Sequence, residues 1–134
     1  MVHTRSIREI DKIASSCQIV ADTLIFLESY VVDGACVSDL DQMAEEFIRS
    51  RGARPAFKGY MGFPATLCVS IDDAVVHGIP GKEILKDGQI VGIDCGAELD
   101  SYYGDHARSF AVGTIDVAKQ KLLDVTRESL AKGI

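Results

Sequence analysis

The chain has 134 residues, enough for one domain with a core, and 47% of them are hydrophobic and 25% charged, a balance that excludes a disordered chain. Its net charge of -6 argues against a general nucleic-acid binder, which needs a basic face to meet phosphates. The opening residues, Met1 to Lys12, are too charged for a signal peptide, and no apolar run is long enough for a membrane helix, so a soluble, cytoplasmic protein is expected.

The first predicted element is a helix. Ser6 followed by Glu9 has the pattern of a capping box, and Ile10, Ile13, Ala14, Cys17, Val20, Ala21, Leu24 and Leu27 follow at helical spacing. It should end near Tyr30, before the Asp33-Gly34 turn. A second helix is predicted from Ser38, with Asp41 in a weaker box and an apolar stripe of Leu40, Met43, Ala44, Phe47 and Ile48, stopping at Gly52. From Pro55 to Pro64, aromatics alternate with glycines, which is loop chemistry. Leu67 to Ile71 reads as a strand, and Val75-Val76 as an apolar pair, the end of a possible strand running into a turn at His77-Gly78. Gln89–Gly96 and Tyr102–Val112 read as two strands joined through the polar link Glu98–Ser101, a hairpin. A last helix runs from Asp116, its cap, to Lys132. The order predicts an α+β fold with an antiparallel sheet.

The four cysteines, Cys17, Cys36, Cys68 and Cys95, form no CxxC pair and read as reduced, buried structural thiols. His3 is near the terminus and expected to be exposed; His106 follows Asp105 directly, so strand alternation turns it to the other face.

Two aspartates stand out. Asp94 interrupts the apolar run Ile90–Cys95, and Asp105 repeats the anomaly in the next strand, although strand interiors disfavour Asp. A hairpin turning symmetrically about residues 98–101 places them directly opposite each other, with Cβ atoms about 4.5–5.5 Å apart. Opposed like charges need a shared proton, an arginine or a cation, and divalent ions held by oxygens are a common answer. The plainer alternatives are a salt bridge with Arg108 or a register shifted by a bulge. His77, before Gly78-Ile79-Pro80, suits either projection into a cleft or pairing with loop backbone.

Phe57-x-Gly59-Tyr60-x-Gly62-Phe63-Pro64, Cys68-x-Ser70, Val75-Val76-His77-Gly78-Ile79-Pro80, the strand ending in Asp94, and Tyr103-Gly104-Asp105 continuing to Gly113 together resemble the N-terminal half of type I methionine aminopeptidases over nearly the whole chain. The resemblance implies the first pseudo-symmetric half of a pita-bread (creatinase/aminopeptidase) fold, an antiparallel sheet with helices on one face, so that residues 1–134 form a single partial domain. It implies removal of the initiator methionine from nascent proteins and peptides at a site with one or two divalent ions (Co, Mn, Fe or Zn). Asp94 would be a terminal metal ligand and Asp105 a bridging one. His77 would contact the scissile amide, and Tyr60, Phe63 and Cys68 would line the methionine pocket, where a thioether suits aromatic and polarizable walls. The family's remaining ligands, a histidine and two glutamates, would come from a second half beginning after Ile134. The expected partners are therefore a peptide beginning with Met and either that C-terminal half or a second copy of the chain; neither nucleic acid nor membrane is expected. One departure is Asp72, where the family usually has Asn. The rival reading is a non-catalytic pita-bread module, or a truncated fragment, that recognises nascent chains or a protein partner.

Overall fold

The computed structural model describes residues 4–134; His3 lies outside them. Helix α1 spans Ile7–Glu28 and α2 spans Val37–Ser50. Four strands follow, β1 (Arg54–Pro55), β2 (Leu67–Ile71), β3 (Ile90–Leu99) and β4 (Tyr102–Ala111), and then α3 (Val117–Gly133). The expected α+β order holds.

Local chemistry accounts for the first helix. The Ser6 hydroxyl accepts from the Glu9 backbone N–H, and the Glu9 carboxylate accepts the Ser6 N–H at 2.8 Å, so two orphan donors of the first turn are satisfied. The second helix starts differently from expectation. Cys36, not a residue at Ser38, takes the cap position, without a side-chain bond. Asp41 does not cap; it accepts the backbone N–H groups of Thr66 (2.9 Å) and Leu67 (2.7 Å). The carboxylate therefore ties α2 to the first residue of β2. Burial pushes its pKa up, opposed by those two N–H groups.

β3 is the centre of the sheet. β2 and the short β1 pair with successive stretches along one side of it, and β4 pairs with the other, all antiparallel. Alternation divides the sheet cleanly. Val91, Ile93, Cys95 and Ala97 of β3 and Leu67 and Val69 of β2 are buried against Val20, Leu24 and Leu27 of α1 and Leu40, Ala44 and Ile48 of α2. The α1 backbone lies so close to β4 that a Cβ on Gly104 would sit 2.5 Å from the amide nitrogen of Cys17. The Ser16 hydroxyl donates to the Tyr102 carbonyl at 2.9 Å beside this crossing.

The hairpin turns one residue later than its polar link suggested. Leu99 pairs with Tyr102, and Asp100 and Ser101 alone make the turn, with φ of 53° and 68°. Two left-handed residues suit the twist of a two-residue hairpin loop, and Glu98 and Leu99 remain in the strand. Val75 and Val76 form no strand and are exposed. No residue of α3 is fully buried. The helix is tied down near its start, where Asp116 caps it and the Lys119 ammonium donates to Asp72 Oδ1 at 2.8 Å and to the Gly88 carbonyl at 2.7 Å. No described helix is long and apolar enough to cross a membrane. The described cysteines are all free; Cys68 and Cys95 are buried as expected, but Cys36 is only half-buried and Cys17 is exposed.

Candidate active site

The sheet face turned away from α1 and α2 carries the polar anomalies. The true register moves each aspartate off its expected partner: Asp94 faces Ala107, and Asp105 faces Gly96. The two are not directly opposed as predicted. The displacement is an even one, so both stay on the same face as diagonal neighbours, where long-range contact across the pair is still within reach. Cys68 pairs with Asp94 from the other side, on the same face. Arg108, the alternative partner weighed for the aspartates, points to the other face and holds Glu28 with two bonds of 3.1 and 2.6 Å. His106 faces Cys95 and is likewise turned from Asp105.

Asp94 Oδ1 is a buried oxygen with no hydrogen-bond partner among the described residues. Burial pushes the Asp94 carboxyl above its ordinary pKa, the neighbouring Asp105 carboxylate pushes it further, and His77 pulls the other way. The Cys68 thiol is held up by burial and by the same two carboxylates, and burial pushes the Cys95 thiol up to about 12. Both sulfurs are therefore neutral, and Cys68 offers a soft, uncharged wall.

A cavity of about 580 Å³ opens over this face. Asp94, Asp105, His77, Tyr60, Phe63 and Cys68, the six residues to which the resemblance gave a site role, line it. The loop from Phe57 to Phe63 is stitched to itself: the Gly59 N–H donates to the Phe63 carbonyl at 2.8 Å, and the Phe63 N–H to the Tyr60 carbonyl at 2.9 Å. Gly59 and Gly62 supply the left-handed turns this needs, with φ of 86° and 84°. His77, itself at φ 59°, is held from the next residue. The Gly78 carbonyl accepts the Val69 N–H at 2.8 Å, and a Cβ on Gly78 would lie 2.0 Å from the Val69 carbonyl oxygen. Only glycine lets this loop lie against the edge of β2.

Phe57, Met61 and Ile79 also line the cavity, and no role was read for them from the sequence. The ring of Phe57 occupies the space a Cβ on Gly96 would need, at 2.5 Å, and so packs over the residue directly facing Asp105. The signal was the glycine at an otherwise ordinary strand position, which marks close approach of another group. Asp72 pairs with Lys119 and accepts the Ile90 N–H at 3.2 Å, so the departure at this position is used to fasten α3.

The donor set fits a divalent cation in part. Two carboxylates converge on one face, and one presents a buried oxygen without a partner, an arrangement that oxygen-loving cations offset. Among the described residues no group of three or more ligating side chains forms, so the two carboxylates make an open half of a coordination sphere.

The sequence profile of metallopeptidase family M24 matches residues 11–134. The chain is 50% identical over 126 residues to a methionine aminopeptidase of Borreliella burgdorferi, covering 94% of this chain and 50% of that one. It is 46% identical over 134 residues to methionine aminopeptidase 1 of Bacillus subtilis, covering 100% of this chain and 54% of that one. The chain thus spans about half the length of the curated relatives it matches. The structure superposes on a methionine aminopeptidase of Rickettsia prowazekii with a TM-score of 0.98 and 35% identity, covering 100% of this chain and 54% of that one. A prolidase of Pyrococcus furiosus, at 20% identity and a TM-score of 0.82, shares the fold.

Proposed function

The chain belongs to metallopeptidase family M24 and has its pita-bread fold, and we propose that it is the first half of that fold and supplies one wall of a metal-dependent site that removes the N-terminal methionine from peptides and nascent proteins. The observation that carries this reading is the pair Asp94 and Asp105 on one sheet face, both lining the cavity that His77 also lines, with a buried Asp94 oxygen that has no partner among the described residues.

Asp94 and Asp105 would hold the ion or ions through their carboxylate oxygens. A divalent ion held there supplies positive charge for the reacting carbonyl and acidity for the attacking water. The chain's own residues do the rest. Tyr60, Phe63 and Cys68 grip the methionine side chain; two rings and a neutral thiol give a thioether favourable contacts and leave no charge to bind a competing polar residue. That grip sets the first peptide bond beside the carboxylates. His77 reaches the same space from its loop, beside the nitrogen of the scissile amide; once attack turns the carbonyl carbon tetrahedral and frees that nitrogen's lone pair, His77 is placed to pass a proton to the departing amine. Phe57, packed over Gly96, borders Asp105 from the facing strand. The same reading makes residues 1–134 one half of a domain, the rest of the ligand set coming from a second half.

A purely binding module has no use for a buried carboxylate oxygen without a partner, since that oxygen is a standing destabilisation. The test is hydrolysis of a Met-Ala-Ser peptide with Mn²⁺ or Co²⁺, by the chain alone and by the chain joined to the part of the Bacillus subtilis relative that lies beyond the match. Turnover by the joined form, lowered at least about 100-fold by Asp105→Asn, is expected. A folded, joined protein that releases no methionine at any metal concentration overturns the reading.

A further inference from the structure

The cavity lining is graded in depth. Cys68 is 6% exposed and forms the floor, Phe63 is half-buried, Tyr60 is 69% exposed and Met61 is 91% exposed. Met61 is the outermost member of the loop wall. On the facing loop, two residues beyond His77, Ile79 is 60% exposed and lines the same space. An apolar lip therefore surrounds a carboxylate-bearing floor.

Met61 is anomalous in a second way. Its φ is 48°, in the left-handed region that disfavours any side chain, and it lies between two glycines that take that region freely. A glycine would serve the turn better. The side chain makes up for the strain with no packing of its own, because it is almost wholly exposed. Strain of this kind that packing does not explain points to a contact made with something else.

We propose that Met61, with Ile79 facing it, is a specificity-determining contact for the third residue of the substrate, favouring an apolar side chain there. The inference rests on the reading of the site given above. Successive side chains of an extended peptide alternate in direction. With the first side chain held by Tyr60, Phe63 and Cys68, the second points away from that wall and the third returns to it. Each residue advances the chain about 3.3 Å, so the third reaches the wall further toward solvent than the first. Met61 occupies that outer position, and an unbranched thioether adapts to apolar groups of different shape. An acidic third residue would instead give up hydration against this apolar lip.

The experiment compares Met-Ala-Leu-Ser with Met-Ala-Asp-Ser, using the chain joined to the part of the Bacillus subtilis relative that lies beyond the match, as the native sequence and as Met61→Gly, Met61→Leu and Ile79→Ala. Native kcat/KM should favour the leucine peptide by about fivefold, the scale of burying part of one apolar side chain. Met61→Gly should bring the ratio close to one while its thermal midpoint stays level or rises, since the glycine relieves the left-handed backbone. Met61→Leu should keep the preference, and Ile79→Ala should reduce it. An unchanged ratio in Met61→Gly overturns the proposal. So does a fall in its thermal midpoint with the ratio intact, which would make the lip a packing surface for other parts of the protein. If neither peptide is hydrolysed by the native protein, the site reading itself fails and this inference falls with it.

Discussion

Asp41 shows how a single side chain joins layers. Its carboxylate satisfies two backbone N–H groups at buried Thr66 and Leu67. Asp41→Ala strands both donors and should cost about 2–4 kcal/mol in urea denaturation, whereas Asp41→Asn keeps an acceptor and should lose far less. Gly78→Ala forces a Cβ into the Val69 carbonyl. It should displace His77, lowering activity more than stability, as read from kcat/KM beside the denaturation midpoint. Both roles are tertiary, and this decides what the sequence reveals at this scale. Asp41 looks like a cap because capping residues are recognised three positions apart, and nothing local points to partners at residues 66 and 67. The aspartates at 94 and 105 were legible because a carboxylate in an apolar strand is improbable wherever the strand sits. Phe57 was not, because its contact with Gly96 joins segments whose packing only the fold decides.

Among elements, the hairpin turn and the opening of α3 carry separable energies. Asp100 and Ser101 both hold positive φ without being glycine. Ser101→Gly should therefore stabilise the protein by about 0.5–1 kcal/mol, seen as a higher midpoint with an unchanged denaturant slope. The Asp72–Lys119 pair fastens α3, and the Lys119 ammonium holds the Asp72 carboxyl below the usual carboxylate range. A carboxyl whose folded pKa is lowered adds stability above its ordinary value of about 3.9, and that stability fades as pH falls through the lowered value. Lys119→Met should accordingly be less stable than the native chain at neutral pH, with the two curves converging in acid. The extents of α1 and β4 and the start of β3 were readable from composition, apolar period and the Ser6–Glu9 box. The turn was misplaced by one residue because Glu98 and Leu99 look like linker, while the turn is decided by which pair tolerates left-handed backbone. The Val75-Val76 pair misled for the opposite reason: β-branched composition signals a strand only where neighbours exist to pair with it.

As a whole, the molecule is finished on one side. α1 and α2 cover one sheet face, while the other holds the cavity, and Tyr60, Met61, Val75, Val76 and Ile79 stand exposed around it, with Leu122, Val125 and Leu130 exposed on α3. Apolar surface of this extent favours association. The 134-residue polypeptide by itself is expected to show concentration-dependent self-association by light scattering, and a monomer with a sharp unfolding transition would contradict this. That the chain is half of a fold is an expectation from resemblance alone, because composition and periodicity describe what a chain buries and not what it leaves for a partner. The hairpin has one more consequence, for how this protein can vary in length among its descendants. Asp105 faces the cavity because Gly104 faces α1, and the two alternate along β4 from a turn of two residues. Inserting a single residue into the paired strand before Gly104 would send Asp105 beneath the helix and a bulky neighbour into the space only glycine fits. Inserting two would return each to its own face, but two places along from the α1 crossing, with Tyr102 where the glycine had been. Inheritance in this stretch is thus read by parity and by place: an odd step turns both residues to the wrong faces, and an even step keeps the faces but moves the glycine off its crossing.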